Sequence, residues 1–468
     1  MTGRAKPSSR RGGPRPERRG GREDGRRRFA AREAGGGHGE AGTGTGNVEG
    51  QGGAMGNDVY ILGVGMIRFG KYAEKGIKQL TAEALQALWE DFPVDKKDIQ
   101  AAWFSNSGWG MNTGQHCIRG QVALAPLGIQ GIPIVNVENA CAGGSTALRE
   151  AWLSVKAEQF DLVLAVGAEK TWFPEDRAKM FEGFLSGMDV EFARKVIEAF
   201  QADAARKARE AGAEGKEKKG GHSGFMDVYA MGARAHMQRY GTTQRQLAVI
   251  AAKNHRHGSL NPLAQYQRDM SVEEVLEDVL VAYPLTRSMC APIGDGAAAA
   301  LLGSERALRK YPQARPVRIR ASVLASGSLP GSGLESIGRR LSREAYEKAG
   351  LGPEDVDVAE VHDATAFGEL MQYEELGFCP EGEGGPFAES GATALGGKLP
   401  VNTSGGLECR GHPIGASGIA QVYELVLQLR GEAGPRQVEG ARIALAENGG
   451  GFIGLGEAAM CIHILEKA

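Results

Sequence analysis

The sequence predicts an α/β protein built from two copies of one folding plan. Three features carry that expectation. Past Met55, short runs of aliphatic and β-branched residues alternate with stretches of helical spacing. Leu162-Val163-Leu164-Ala165-Val166-Gly167-Ala168-Glu169 is apolar without alternation, as a strand covered on both faces should be. The order of elements in the first half then returns, with little identity, in the second. A long-period repeat of this kind implies two similar halves packed together.

In the first half, Asp58–Met66 reads as a strand ending in glycines, and Leu80, Ala84, Leu85 and Leu88 mark one face of a helix. Ile99–Phe104 and Ile132–Val137 read as the next strands, a helix starts near Ser145, and 162–169 and 294–302 supply the last two strands. In the second half, Val317–Ala325 mirrors the first strand, Leu341, Ala345 and Ala349 the first helix, and Val356–Val361 the second strand. Gly411-His412-Pro413-Ile414-Gly415-Ala416-Ser417-Gly418 mirrors the turn around Cys141, Ala420–Leu429 is its helix, and 441–446 and 454–465 complete the copy. Residues 55–310 are therefore expected to form the first half and 311–468 the second. An insertion of about 170–285 interrupts the first. It holds a polar run, Ala204–Lys219, and is expected to supply a lid over a site.

The chain is 42% hydrophobic and 24% charged, the balance of a globular protein, and has no run of about 18 apolar residues. Its net charge of −2 hides an asymmetry, because residues 1–54 carry 12 Lys and Arg against 6 Asp and Glu. This Arg/Gly-rich tail has almost nothing to bury and is expected to be disordered. Met55 is expected to be the true start, with the tail read from upstream DNA. The remainder is acidic and gives no reason to expect nucleic acid. Six scattered cysteines without a CxxC pair suggest reduced thiols, a cytoplasmic location and no zinc knuckle. No metal and no covalently held cofactor are expected. Gly63-Val64-Gly65 lacks the third spaced glycine of a dinucleotide site.

Cys141 carries the chemistry. It stands between a strand and the first turn of a helix, in Asn139-Ala140-Cys141-Ala142-Gly143-Gly144-Ser145. Free N–H groups and the positive end of the helix dipole would stabilise a thiolate there, the reactive form of a cysteine. A small buried structural cysteine would look the same at this level. Sites in open α/β sheets lie outside strand C-termini, so the Cys141 and His412 turns should face one cleft between the halves.

The Cys141 turn, Lys253-Asn254-His255, Gly294-Asp295-Gly296-Ala297-Ala298, His362-Asp363 and the 411–418 turn, in this order over about residues 57–466, resemble the thiolase superfamily, and its sterol-carrier-protein branch above all. The resemblance implies five αβαβα layers of two βαβαβαββ halves, a homodimer, acyl-CoA substrates and coenzyme A as co-substrate. It implies that Cys141 takes the acyl group of a β-oxoacyl-CoA and that His412 deprotonates the nucleophile and then activates CoA. His362 would help polarise the thioester oxygen. Backbone N–H groups of Cys141 and of a glycine loop at Asn448 and Gly450 would hold the oxyanion, donors whose removal costs roughly 3–4 kcal/mol.

The sequence departs from the family where a second cysteine is expected. Asn448 stands at or near one such position and Ala364 at the other. Glu447 is the best titratable candidate to replace it, with Cys409 as another. The loss points to a bulky or aromatic substrate, with benzoylsuccinyl-CoA thiolase as the relative to compare first. The resemblance to this branch also implies a separate small partner with a zinc ribbon and an OB fold. The rival readings are a retro-aldol carbon–carbon lyase, a Claisen-type synthase, and a non-catalytic lipid-binding or scaffold protein. His236, His255 and His257 could line a CoA entrance or be surface residues, and His116-Cys117 resembles a metal pair only superficially.

Overall fold

A computed structural model describes residues 58–176, 180, 183–191, 194–195, 224–454 and 456–468. The tail 1–54 and the polar run Ala204–Lys219 lie outside the described residues. Eleven strands are described: β1 Val59–Met66, β2 Ala101–Ser105, β3 Ile134–Val137, β4 Leu162–Glu169, β5 Leu280–Ala282, β6 Leu285–Thr286, β7 Gly296–Ser304, β8 Val317–Ser326, β9 Val358–Glu360, β10 Ile443–Ile453 and β11 Gly456–Lys467.

The duplication is written into the strand pairing. Nine strands form one sheet in the order β3-β2-β4-β7-β1-β8-β11-β10-β9. In the first half β2 and β4 are parallel, while β4 with β7 and β7 with β1 are antiparallel. The second half repeats these senses in β9–β10, β10–β11 and β11–β8. The copy of β3 is reduced to one parallel bridge between Ala359 and Val401. The halves join edge to edge, where Tyr60 and Ile61 of β1 pair with Arg318 and Val317 of β8.

Three hydrophobic cores separate five layers. One lies between the helix Ile77–Asp91 and the outer face of β1, β2, β4 and β7. A second lies between the helix Ile337–Ala349 and the outer face of β8, β10 and β11. The third is central. It combines Ala147, Leu148 and Ala151 of the helix Gly143–Lys156 with Ile419, Val422 and Leu425 of the helix Ser417–Arg430, and inner-face residues of both half-sheets. The two central helices therefore pack together, and the turns that precede them come side by side.

Two expectations need correction. The glycine stretch 449–451 is not a loop: β10 runs through it to Ile453, because Gly449 and Gly450 pair with Met460 and Ala459 of β11. The insertion is also not a lid throughout. The helix Gln244–Ser259 buries Leu247, Ala248, Ile250 and Ala251, spaced to make one apolar stripe, in the second-half core. Lys253 and Asn254 continue that helix into a buried polar cluster. Lys253 pairs with Glu369, and Asn254 Nδ2 donates to Asp363, Glu369 and Glu408.

Candidate active site

Cys141 and His412 meet where the two central helices begin. The turn into the first helix holds Ala140 at φ 47°, a left-handed conformation rare for a residue with a side chain. An N–H bond from Ala140 to Glu138 Oε1 at 2.7 Å and one from Ala142 to the Asn139 carbonyl at 3.0 Å keep it there. The His412 turn is seated on β4 so closely that a methyl group on Gly167 would overlap the Gly415 carbonyl. The buried Glu169 carboxylate fastens this contact. It accepts the N–H groups of Ser107 at 2.9 Å, Gly108 at 3.0 Å and Gly415 at 3.1 Å.

His412 Nε2 lies 3.2 Å from Cys141 Sγ, and its Nδ1 lies 2.7 Å from Ser417 Oγ. The Ser417 hydroxyl donates to the Pro413 carbonyl at 3.0 Å, so its oxygen is left to accept from Nδ1–H. This sets the tautomer: Nε2 carries the lone pair and points it at the sulfur. His362 has the opposite assignment. Asn448 Oδ1 accepts from Ser145 Oγ at 3.1 Å, which leaves its amide Nδ2 to donate to His362 Nδ1 at 3.1 Å. The proton of the His362 ring is then on Nε2. The two rings meet edge to face, with centroids 5.2 Å apart.

The protonation states differ from the sequence expectation of a stabilised thiolate. Burial, opposed by an N–H from Gly451 and reinforced by Glu457, Glu138 and Glu169, pushes the Cys141 thiol up to about 12. Burial, with the positive fields of His362 and Arg410, holds His412 well below the usual imidazole range. Burial and Arg410 bring His362 down to about 4. Both shifts favour a neutral thiol beside a neutral imidazole whose Nε2 lone pair faces the sulfur.

These three residues line a cavity of about 650 Å³, the size of a small-molecule site. Its apolar wall includes Trp172, Phe184, Phe225, Met226, Tyr229 and Phe452. Phe225 and Tyr229 each pack on Phe452 at 5.3 Å between centroids. Gly450 and Gly451 close the wall beside Cys141; a methyl group on Gly450 would overlap the Ala142 nitrogen and the Asn139 oxygen. Sγ of Cys141 and ring nitrogens of His362 and His412 all lie within 4.8 Å of one another, a donor set that a soft divalent cation could use.

Other candidates fall elsewhere. Glu447 is fully buried and is absent from the cavity wall. Its Oε2 accepts the His362 N–H at 2.8 Å, so it braces the backbone at His362. Cys409 is buried against Gly258, outside the cavity. His236, His255 and His257 are buried and do not line it either. His236 bonds Thr242 at 2.8 Å, His255 lies between the Arg268 and Ser288 carbonyls, and His257 bonds the Asn402 carbonyl at 3.0 Å. The sequence reading missed Ser417, Cys290 and Glu457. An acid directly ahead of the apolar run 458–462 of β11 was the available signal for Glu457.

Residues 59–306 match the family model "Thiolase, N-terminal domain" and residues 334–466 match "Thiolase C-terminal domain-like". The chain is 37% identical over 415 residues to acetyl-CoA acetyltransferase of Methanothermobacter thermautotrophicus, covering 88% of this chain and 100% of that protein. It is 37% identical to sterol carrier protein 2 of Oryctolagus cuniculus, covering 86% and 71%. It is 35% identical to benzoylsuccinyl-CoA thiolase subunit BbsB of Thauera aromatica, covering 84% and 94%. Two solved structures share the fold. The Ltp2-ChsH2(DUF35) aldolase has a TM-score of 0.66 at 22% identity, covering 88% of this chain and 98% of that one. Human mitochondrial 3-ketoacyl-CoA thiolase with CoA has a TM-score of 0.61 at 16% identity, with the same coverage. With both halves matched and relatives this similar along their lengths, the chain belongs to the thiolase family and is a thiolytic acyltransferase.

Proposed function

We propose that the protein cleaves a β-oxoacyl-CoA through an acyl group carried on Cys141. His412 Nε2 takes the thiol proton as the sulfur attacks the keto carbon. His362 Nε2–H and the backbone N–H groups of Cys141 and the 450–451 segment steady the oxyanion. The carbon–carbon bond then breaks, an acyl-CoA enolate leaves, and CoA thiol takes the acyl group from Cys141. The single observation that carries this reading is the 3.2 Å approach of His412 Nε2 to Cys141 Sγ with its lone pair facing the sulfur.

The wall of Phe184, Phe225, Tyr229 and Phe452 supports a bulky or aromatic acyl group such as that of benzoylsuccinyl-CoA. Lys71 and Arg287 are the cations of the described wall to which CoA phosphates would turn. A homodimer is supported by the edge strand β3, where Val135 is 44% exposed and neighbouring Ile118 59% exposed. A separate zinc-ribbon and OB-fold partner is supported by the name of the Ltp2-ChsH2(DUF35) assembly. No described helix is long and apolar enough to cross a membrane, and a cytoplasmic location is the accompanying proposal. We place the domain halves at 55–310 and 311–468.

The test is turnover of linear and aromatic β-oxoacyl-CoA esters with CoA, with mass analysis of products and of the Cys141 peptide. Two acyl-CoA products and an acylated Cys141 are expected. Aldehyde or ketone release without acylation would instead indicate a carbon–carbon lyase.

A further inference from the structure

Thiolysis needs a second proton-transfer group, because the enolate that leaves must be protonated at its α-carbon. We propose that Glu457 is that group. The proposal deepens the reading above and rests on it. Glu457 stands in the wall of the same cavity as Cys141, His362 and His412. It sits on β11 opposite Phe452, and its carboxyl reaches back over Gly449, where a methyl group would collide with it. Among the described residues the carboxyl has no hydrogen-bond or ion-pair partner, so it is free to face a bound molecule.

The other acids and thiols near the cavity are engaged. Glu138, also in the wall, accepts from Ser107 Oγ at 3.1 Å and from the Ala140 N–H at 2.7 Å. Cys290 lines the cavity, but its Sγ–H is turned to the Thr286 carbonyl at 3.4 Å. Glu447 gives Oε2 to the His362 N–H, and its Oε1, though without a partner, is buried outside the cavity wall. The groups facing Glu457 also suit an acid that is loaded at neutral pH. Burial first, and then the neighbouring Glu375, push its carboxyl up to about 8. Glu447, held well above the carboxylate range by burial and by Glu457 itself, supplies no stronger acid nearby.

The step balances as follows. The Cys141 proton passes to His412 Nε2 as the S–C bond forms. The Cα–Cβ bond breaks, its electron pair stays on Cα, and the Glu457 proton goes to that carbon. The His412 proton then returns to the Glu457 carboxylate through solvent, and in the second half His412 Nε2 takes the CoA thiol proton as the new S–C bond forms. The departing Cys141 sulfur recovers its proton from His412. No oxidant or reductant is consumed.

Two activities of the full-length protein separate the roles. Acyl exchange between an acyl-CoA and isotopically labelled CoA uses Cys141 and His412 alone. Deuterium exchange at Cα of acetyl-CoA and succinyl-CoA in D2O uses the second group. For E457Q we expect Cα exchange to fall at least about 100-fold while acyl exchange stays within about twofold, with E457D recovering part of the loss. Cα exchange at the wild-type rate in E457Q would overturn the proposal, as would acyl exchange without Cα exchange in the wild type. Loss of Cα exchange in Cys290→Ser with E457Q unaffected would move the role to Cys290. Absence of any Cys141-dependent acyl exchange would instead sink the thiolase reading beneath it.

Discussion

Asn448 decides which nitrogen of His362 holds the proton. Its Nδ2 lies 3.1 Å from His362 Nδ1, and its Oδ1 is anchored by Ser145 at the start of the nucleophile helix. An amide at this place, where many family members carry a cysteine, thus makes the neighbouring imidazole a donor towards the cavity. An Asn448→Asp carboxylate would accept from Nδ1–H and turn a lone pair towards the developing oxyanion. N448D should lower kcat by about 100-fold or more, and Asn448→Ala by less, since it leaves the ring free to choose. Steady-state kinetics of both variants check this; equal losses would refute the tautomer assignment.

Alkylation kinetics report the state of the nucleophile. With the Cys141 thiol pushed up to about 12, the thiolate fraction climbs throughout the neutral range. The rate of Cys141 carboxamidomethylation by iodoacetamide should therefore keep rising, by about tenfold per pH unit, to at least about pH 9. Peptide mass analysis follows it. A plateau below about pH 8 would mean a preformed thiolate instead.

Gly450 allows β10 to touch the nucleophile turn. Gly450→Ala would push against the Ala142 nitrogen and Asn139 oxygen and shift Cys141 relative to His412. A displacement of about 1 Å is enough to cost about 100-fold in kcat. The expected result is that loss together with a lowered melting temperature, read by differential scanning fluorimetry beside the rate assay.

Lys253 is the cation within a buried group of acids. It pairs with Glu369 beside Asp363 and Glu408, both held well above the carboxylate range by burial first and by their acidic neighbours. Lys253→Met leaves Glu369 without its cation and should lower unfolding free energy by about 3–5 kcal/mol. Urea denaturation of the purified variant measures it, and a loss under about 1 kcal/mol would contradict the assignment.

The parts of the site that were legible in sequence are those set by local pattern. Apolar runs gave β1, β4 and β8 nearly to the residue and β7 two residues early, and the small residues after Cys141 and His412 marked both helix starts. The misreadings share a cause in long-range pairing. Gly449, Gly450 and Gly451 look like a loop until β11 is laid beside them. Glu457 comes to the cavity only through the register of that hairpin. Ser417 is one hydroxyl in a small-residue turn, and its role follows from a hydrogen bond to Pro413 that no spacing rule announces. His236, His255 and His257 read as entrance or surface residues because histidine is usually solvated, yet each found buried oxygen partners.

The two turns at the heart of the molecule occupy matching places in the repeat, yet one offers a sulfur and the other an imidazole. A symmetric pair of identical single-repeat chains would have presented the same side chain twice and could not have divided the labour this way. Joining both repeats in one polypeptide lets each carry its own side chain at that place. Swapping one repeat for a second copy of the other should therefore preserve the architecture and abolish turnover.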